Sequence, residues 1–526
     1  MASSPIAFLR LFRAVWVLSR EGVVAAIPRQ GLAGPALTAH KVATAVARKR
    51  SEDKGHAERM TAAIARLGPS YAKLGQFLAT RPDIIGLDMA LELAHLQDRM
   101  ESFSNAESFA RIVDSLGLSI TELYDRIDAP IAAASIAQVH PAWVKDRDGK
   151  ERKVAVKVVR PGVRERFDKD LETFFTFAQL QEKYIPSSRR LRPVAIAETL
   201  AQSTRIEMDL RLEAAALSEI GENTKNDPGF RVPKVDWERT GRDVLTMEWV
   251  DGIKMNDLEA IRAAGHDMHE LAVKMIQSFL RHAVRDGFFH ADMHPGNLFV
   301  DPNGDIVAVD MGISGRIGIR ERRFLAEILF GFIRRDYRRI AEVHFEAGYV
   351  PKHHDVEAFA QALRAVGEPI HDQPADTISM GNLLTLLFDV TEIFDMQTRP
   401  ELLLLQKTMV VAEGNARMLD PNFNMWKASE PIVRDWVTKN LGPAGLAKDA
   451  RDGVQAVVSM ARQLPDLAQR TEMLSLEVEK AANDGFKLAP ETVNAIGKAE
   501  ARESRWGRYA LGVIAASAVY VAWAVS

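Results

Sequence analysis

Apolar residues recur at helical spacing along most of this chain and alternate at strand spacing in only a few short runs. From Ile6 to Ile27 a helix gathers Arg10, Arg13, Arg20 and Glu21 on one narrow face. Phe8, Leu9, Phe12, Val15, Trp16 and Leu18 cover the rest. Residues 56–125 read as helices: Met60, Ile64 and Leu67 repeat up to a stop at Gly68-Pro69, and Tyr71 to Leu78 form a short helix before Arg81-Pro82. A β region follows. Ile131 to Val139 is rich in small residues, Lys153 to Val159 alternates as a strand should, and Arg160-Pro161-Gly162 ends it. Residues 164–184 and 194–221 predict helices, and Asp243 to Val250 predicts a strand that runs into the turn Asp251-Gly252. From there to about residue 435 the pattern is helical, broken by strands at Leu298–Val300 and Ile306–Val309. Asp301-Pro302-Asn303-Gly304 is the turn of a hairpin between them.

The two ends carry patterns of their own. Tyr509 to Ser526 holds no charged residue, and eighteen helical residues rise about 27 Å, close to the hydrocarbon thickness of a bilayer. Arg502, Arg505 and Arg508 precede it and would hold the body of the protein on the cytoplasmic side. The alternative is a terminal helix docked on the protein itself. At the other end, Arg10, Arg13, Arg20, Arg29, Lys41, Arg48, Lys49 and Arg50 stand against a single acid, Glu21, within the first fifty residues. Such a basic amphipathic helix suits an anionic bilayer surface, the cover of a catalytic domain, or an organellar transit peptide. Residues 440–505 read as exposed helix of mixed charge.

Composition changes this picture in two places. A net charge of −3 offers no global field to nucleic acid, and the absence of cysteine excludes disulfides, thiolate metal sites and a cysteine nucleophile. An apolar fraction of 47% is that of a globular protein rather than a multi-span transporter.

The chemistry concentrates at Phe288 to Val300, FFHADMHPGNLFV, and at VAVDMG over 307–312. Phosphoryl transfer needs a carboxylate beside the attacking oxygen, and hard oxygen donors that hold magnesium against the phosphates. Asp292 supplies the first, while Asn297 and Asp310 supply the second. Lys157, in a V-A-V-K strand, suits the α- and β-phosphates if a helix glutamate holds it, and Glu207 and Glu213 are the candidates. His290-x-Asp292-x-His294 has the look of a metal triad, but with no further matched ligand both histidines are expected to brace the loop by hydrogen bonds.

In this combination the chain resembles the UbiB-type atypical kinase family, associated with ubiquinone biosynthesis, over about residues 60–320. Lys73-Leu74-Gly75-Gln76 is similar to that family's K-x-G-Q motif, and Ala132-Ala133-Ala134-Ser135 opens what looks like its alanine-rich nucleotide loop. Glu207-Met208-Asp209 resembles its E-x-D motif, and HADMHPGN its catalytic loop. Asp310-Met311-Gly312 stands where the family usually has D-F-G. The resemblance implies that Glu213 pairs with Lys157, and that Lys73 and Gln76 face the nucleotide site with Glu207 or Asp209 as partners. It implies that the alanine loop restrains kinase activity and that Thr246 to Val250 is the interlobe hinge, where Glu248 and Val250 offer backbone groups to adenine. It also implies that the helical insert over 164–200 packs on the N-terminal extension. Close after Asp310 there is no A-P-E sequence, the chain's Ala489-Pro490-Glu491 standing far downstream, and no clear activation loop, which argues against routine phosphorylation of protein substrates.

The expected fold class is therefore α+β, a two-lobed protein-kinase-like fold with an N-terminal helical extension and a C-terminal transmembrane helix. A basic membrane-proximal segment (1–50) is followed by the K-x-G-Q extension (51–125), an N-lobe with a helical insert (126–250) and a helical C-lobe (251–435). A helical tail (436–507) then leads to the membrane helix (508–526). The resemblance implies an ATP- and Mg2+-dependent atypical kinase or ATPase at a bacterial inner membrane, its catalytic domain cytoplasmic, with a mitochondrial inner membrane as the second choice. Expected partners are anionic lipids, polyprenylated quinone precursors, other ubiquinone-biosynthesis proteins and a second copy in a homodimer. A small-molecule or lipid kinase and a nucleotide-switched scaffold are the alternatives. Direct hydroxylation is disfavoured: the chain has no G-x-G-x-x-G after a strand, no persuasive two-His-one-carboxylate set and no haem cysteine.

Overall fold

A five-stranded antiparallel sheet, two smaller sheets and a body of helices carry the candidate residues toward one another. The computed structural model describes residues 5–23, 41, 44–47, 56–79, 93, 101–146, 148–184, 192–372, 390, 393–396 and 400–442. Residues 443–507 of the expected tail (436–507) and the expected membrane helix at 508–526 lie outside these residues. Among the described residues no helix is long and apolar enough to cross a membrane.

Helix α1 (Pro5–Arg20) precedes α2 (His56–Leu67) and α3 (Pro69–Ala79). Between α2 and α3, Gly68 adopts φ +104°, and a Cβ there would lie 2.1 Å from the Arg166 guanidinium, which donates to the Leu67 carbonyl. Only glycine tolerates that backbone and that neighbour together. Next come α4 (Asn105–Leu116), held by a Ser104/Glu107 capping box, and the short α5 (Ile120–Leu123).

The large sheet is built from β1 (Arg126–Ile127), β2 (Ala132–Ala133), β3 (Ala137–Lys145) and β4 (Glu151–Val159). Helices α6 (Val163–Tyr184), α7 (Pro193–Glu207) and α8 (Leu210–Asn223) intervene. After β5 (Phe230–Arg231), β6 (Val244–Glu248) completes the sheet in the order β1-β3-β4-β6, with β2 also on β3. Strand alternation sorts β4: Val154, Val156 and Val158 join Ile112, Tyr124 and Val244 beneath α4, whereas Ala155 and Val159 enter the main core with Leu217 and Ile220 of α8. Lys157 shares the second face. The helical insert packs on the N-terminal extension, as the resemblance implies; Tyr71 of α3 meets Phe174 of α6 edge-on at 5.0 Å.

Helix 194–221, expected as one element, is two. Met208 caps the end of α7, Asp209 starts α8 by accepting from the Arg211 amide, and the Leu210 amide turns out to the Arg242 carbonyl. A cap inside an otherwise periodic run is invisible to periodicity alone. The chain then forms β7 (Ile253–Lys254), α9 (Leu258–Ala263) and α10 (Met268–Leu280), followed by a π-helical turn at Arg281–Asp286. Strands β8 (Phe288–His290), β9 (Leu298–Val300), β10 (Ile306–Ala308) and β11 (Ser314–Arg316) come next. The hairpin β9–β10 stands as expected, but β5 and β7 extend it to four strands, and β8 pairs with β11. These added strands are two or three residues long, too short for alternation to register.

Helices α11 (Ile319–Arg334), α12 (Tyr337–Ala347), α13 (Val356–Asp372), α14 (Pro400–Leu419) and α15 (Met425–Leu441) follow. Helix α15 continues past residue 435, where the helical lobe was expected to end. The main core reaches from β4 and α8 through α10 to α14 and α15.

At the amino terminus the helix sits the opposite way from simple amphipathic packing. The small side chains Ala7 and Ala14 are buried, while Leu9 and Phe12 are each 70% exposed and Trp16 43%. Arg10 donates to the Lys169 carbonyl, and Glu21 is buried against Arg66, so part of the expected charged face is turned to the protein. Small residues permit close helix contact where long apolar ones do not.

Candidate active site

Lys157 projects from an apolar sheet face, so its ammonium requires partners. Its Nζ donates to both carboxylate oxygens of Glu213, at 2.8 and 2.9 Å, and to Asp310 Oδ2 at 3.2 Å. Glu213 lies on the core face of α8 with Leu210, Leu217 and Ile220, and it also accepts from the Met311 amide. Burial pushes the Glu213 carboxyl upward against the opposing pull of Lys157. Burial likewise works against the charge on Lys157, but Asp310 and Glu213 outweigh it and move the lysine up. For Asp310 burial is again opposed, here by Lys157 and the Gly312 amide, and the carboxyl is held down at about 2.

The residues expected in a catalytic loop come from the turn after β8. Asn297 Nδ2 donates to Asp292 Oδ2 at 3.1 Å and to the Asp292 carbonyl at 3.3 Å, which leaves Asn297 Oδ1 as an acceptor. The Val309 amide donates to the Asn297 carbonyl, tying this loop to the strand that delivers Asp310. Both histidines brace the loop: His290 Nδ1 accepts from the Asp292 amide and His294 Nδ1 from the Gly296 amide. Asp301 serves its turn, accepting from the Asn303 and Asp305 amides.

Lys73 and Gln76 reach the same region from α3. Lys73 forms a buried ion pair with Glu207 and donates to Gln76 Oε1 at 3.4 Å. Burial raises the Glu207 carboxyl, Lys73 lowers it, and the neighbouring Asp310 raises it further. Asp209, the other expected partner, is turned elsewhere: its carboxylate caps α8 and takes Arg211 at 2.6 Å. The tighter local geometry of a cap wins over a partner in another element.

Of the residues expected to form a nucleotide loop, Ala132 and Ala133 are strand rather than loop, paired with Val139 and Gln138. The turn proper spans Ala134 to Ile136, closed by the Ala134 amide on the Ala137 carbonyl and held by Arg160, which donates to the Ala134 carbonyl. Ser135 is buried there. At the expected hinge the Glu248 carboxylate is engaged by Arg231 at 2.9 Å and by the Lys234 amide. The Glu248 amide donates to the Lys234 carbonyl, and Val250 lies in the irregular link before β7.

Three polar residues of α14 also reach the catalytic loop. Lys407 Nζ lies 3.9 Å from Asp292 Oδ1, Thr408 Oγ1 donates to the Ala291 carbonyl, and Asn415 Nδ2 donates to the Met293 carbonyl at 2.7 Å. Sequence reasoning missed all three. The available signal was a polar set on one side of an otherwise apolar helix, LLLLQKTMVVAEGN.

Residues 95–344 match the ABC1 atypical kinase-like domain and residues 363–424 match the UbiB helical domain. The first segment holds Lys157, Glu213, Asp292, Asn297 and Asp310; the second holds Lys407, Thr408 and Asn415. A protein of Marinobacter nauticus named "Probable protein kinase UbiB" is 37% identical over 463 residues, covering 87% of this chain and 84% of its own. Proteins of the same name from Azotobacter vinelandii and Aeromonas salmonicida are 38% and 35% identical, with 84% and 89% of this chain and 81% and 86% of theirs covered.

Proposed function

The chain belongs to the UbiB family of atypical protein-kinase-like proteins, and from that premise we propose that it is an ATP-dependent phosphoryl-transfer enzyme supporting ubiquinone biosynthesis at a membrane surface. The observation that carries the reading is the convergence of Lys157, Glu213 and Asp310 from three separate elements on one ammonium. A lysine held in this way suits nucleotide phosphates. Asp310 keeps its charge far below neutral pH, and its side chain is 41% exposed. Asp310 and Asn297 Oδ1 would supply hard oxygen donors of the kind Mg2+ takes, and the ion when bound would neutralise phosphate charge. Asp292, whose carboxylate accepts from Asn297, suits the role of accepting the proton of an attacking water or hydroxyl.

The membrane part of the proposal is supported by α1. Its outward stripe of Leu9, Phe12 and Trp16, with Arg13 and Arg20 also exposed, suits an anionic bilayer surface. Polyprenylated phenols are embedded in such a bilayer, so an enzyme acting on or near them needs this placement. A site at the Lys73–Glu207 pair, beside Asp310, is suited to gate access to the nucleotide region.

The test is phosphate release from Mg-ATP with and without anionic vesicles and a phenolic quinone-precursor mimic, comparing the natural protein with Asp310→Asn. Vesicle-stimulated release that drops to background in the variant is expected. Equal release by both would remove Asp310 from the site. A phosphorylated mimic in place of free phosphate would move the reading to a lipid or small-molecule kinase. Nucleotide binding without any release would favour a nucleotide-switched scaffold.

A further inference from the structure

The catalytic loop itself, His290 to Asn297, carries no lysine or arginine. Charge that develops on a transferring phosphoryl group nevertheless requires a cation on that side of the cleft. Lys157 is committed to Glu213 and Asp310, and Lys73 to Glu207. Lys407 is a further cation at this loop, and it arrives from α14, more than a hundred residues further along the chain.

Its placement is not that of a surface lysine. The side chain is 24% exposed, and Nζ stands 3.9 Å from Asp292 Oδ1, near enough for attraction and beyond hydrogen-bond reach. Among the described residues its ammonium makes no hydrogen bond. The helix is tied to the loop on both sides of Asp292: Asn415 donates to the Met293 carbonyl, and the Thr408 hydroxyl, shared with the Leu404 carbonyl of its own helix, reaches the Ala291 carbonyl. A lysine one position before Thr408 is therefore held at the loop by its own helix, with three donors and no acceptor committed to it.

We propose that Lys407 binds the terminal phosphoryl group of a nucleoside triphosphate, so that the helical unit completes the phosphate site that Lys157 begins. This inference rests on the phosphoryl-transfer reading above. In the step it serves, the bond from the terminal phosphorus to the bridging oxygen breaks and its electron pair stays on the departing diphosphate. A new phosphorus–oxygen bond forms to the attacking water or hydroxyl, whose proton passes to Asp292. The Lys407 ammonium balances charge on the phosphoryl oxygens and takes no part in proton transfer. Burial depresses this lysine, Asp292 supports its charge and Lys73 opposes it, so an incoming anion relieves an unfavourable balance.

The experiment measures ATP and ADP affinity and single-turnover hydrolysis for the natural full-length protein, Lys407→Met and Lys407→Arg, in the presence of Mg2+. Methionine keeps the apolar stem without the charge. The expected result for Lys407→Met is weaker ATP binding, ADP binding within about twofold of the natural protein, and turnover slower by about 10²–10³-fold, the range for loss of one such contact. Lys407→Arg should recover most of both. Unchanged ATP-over-ADP preference and turnover in Lys407→Met would overturn the assignment. Equal loss of ATP and ADP binding, with a lowered melting temperature, would also overturn it and leave Lys407 a structural role. Absence of nucleotide binding by the natural protein would instead overturn the phosphoryl-transfer reading, and this inference with it.

Discussion

At the scale of single residues, the governing fact is that Lys157 and Glu213 are charged groups on faces that otherwise hold valine, leucine and isoleucine. Neither is tolerable there alone, because burying an unpaired charge costs more than the pair gains. Removing only the lysine leaves a carboxylate 3% exposed with the Met311 amide as its remaining donor. Lys157→Met is therefore expected to lose about 3–5 kcal/mol of stability, and Lys157→Met combined with Glu213→Leu to regain much of it. Denaturant midpoints of the two variants check this; a single variant as stable as the natural protein would show that the pair is not what holds α8 to the sheet. Asp310 differs in kind. Its low pKa keeps it ionised through the range in which magnesium and nucleotide would meet it.

At the scale of elements, helices present faces, and which face turns inward decides what they do. Helix α8 turns Glu213 inward because Asp209 restarts the helix two residues after Glu207. Helix α1 turns alanines inward and leaves Leu9, Phe12 and Trp16 outward. Substituting those three with serine touches little of the fold, so stability should change by less than about 0.5 kcal/mol per site. Binding to anionic vesicles should fall sharply in the same variant, and a sedimentation assay against neutral vesicles separates the charge contribution from the apolar one. Retention of full binding would remove α1 from the membrane surface.

At the scale of the whole molecule, the loop that carries Asp292 and Asn297 is buttressed from a distance. Asn415 and Thr408 lie 122 and 117 residues from the loop carbonyls they bond. Loss of the Asn415 donor leaves the Met293 carbonyl buried without its partner, a cost of about 1–3 kcal/mol. Asn415→Leu is expected to lower the denaturant midpoint accordingly and to slow turnover, since Asp292 is the next residue back along the loop. Unfolding curves and phosphate-release rates on the same preparations measure both, and an unchanged rate would confine α14 to a packing role.

Much of this arrangement is legible in the sequence. The alternation of Lys153 to Val159, the stop at Gly68-Pro69 and the hairpin at Asp301 are local patterns, and local sterics and hydrogen bonding write them directly into sequence. The family resemblance then narrowed the partners of Lys157 to the helix that follows. Choices among partners were not legible in this way. Glu207 rather than Asp209 meets Lys73, α1 shows its large side chains outward, and Lys407 reaches Asp292, because each outcome is a competition between distant surfaces for burial and charge. Periodicity reports that a face is apolar or that a residue is charged. Only the packed chain decides what that face or charge meets, since side chains far apart in sequence become neighbours through the burial of everything between them.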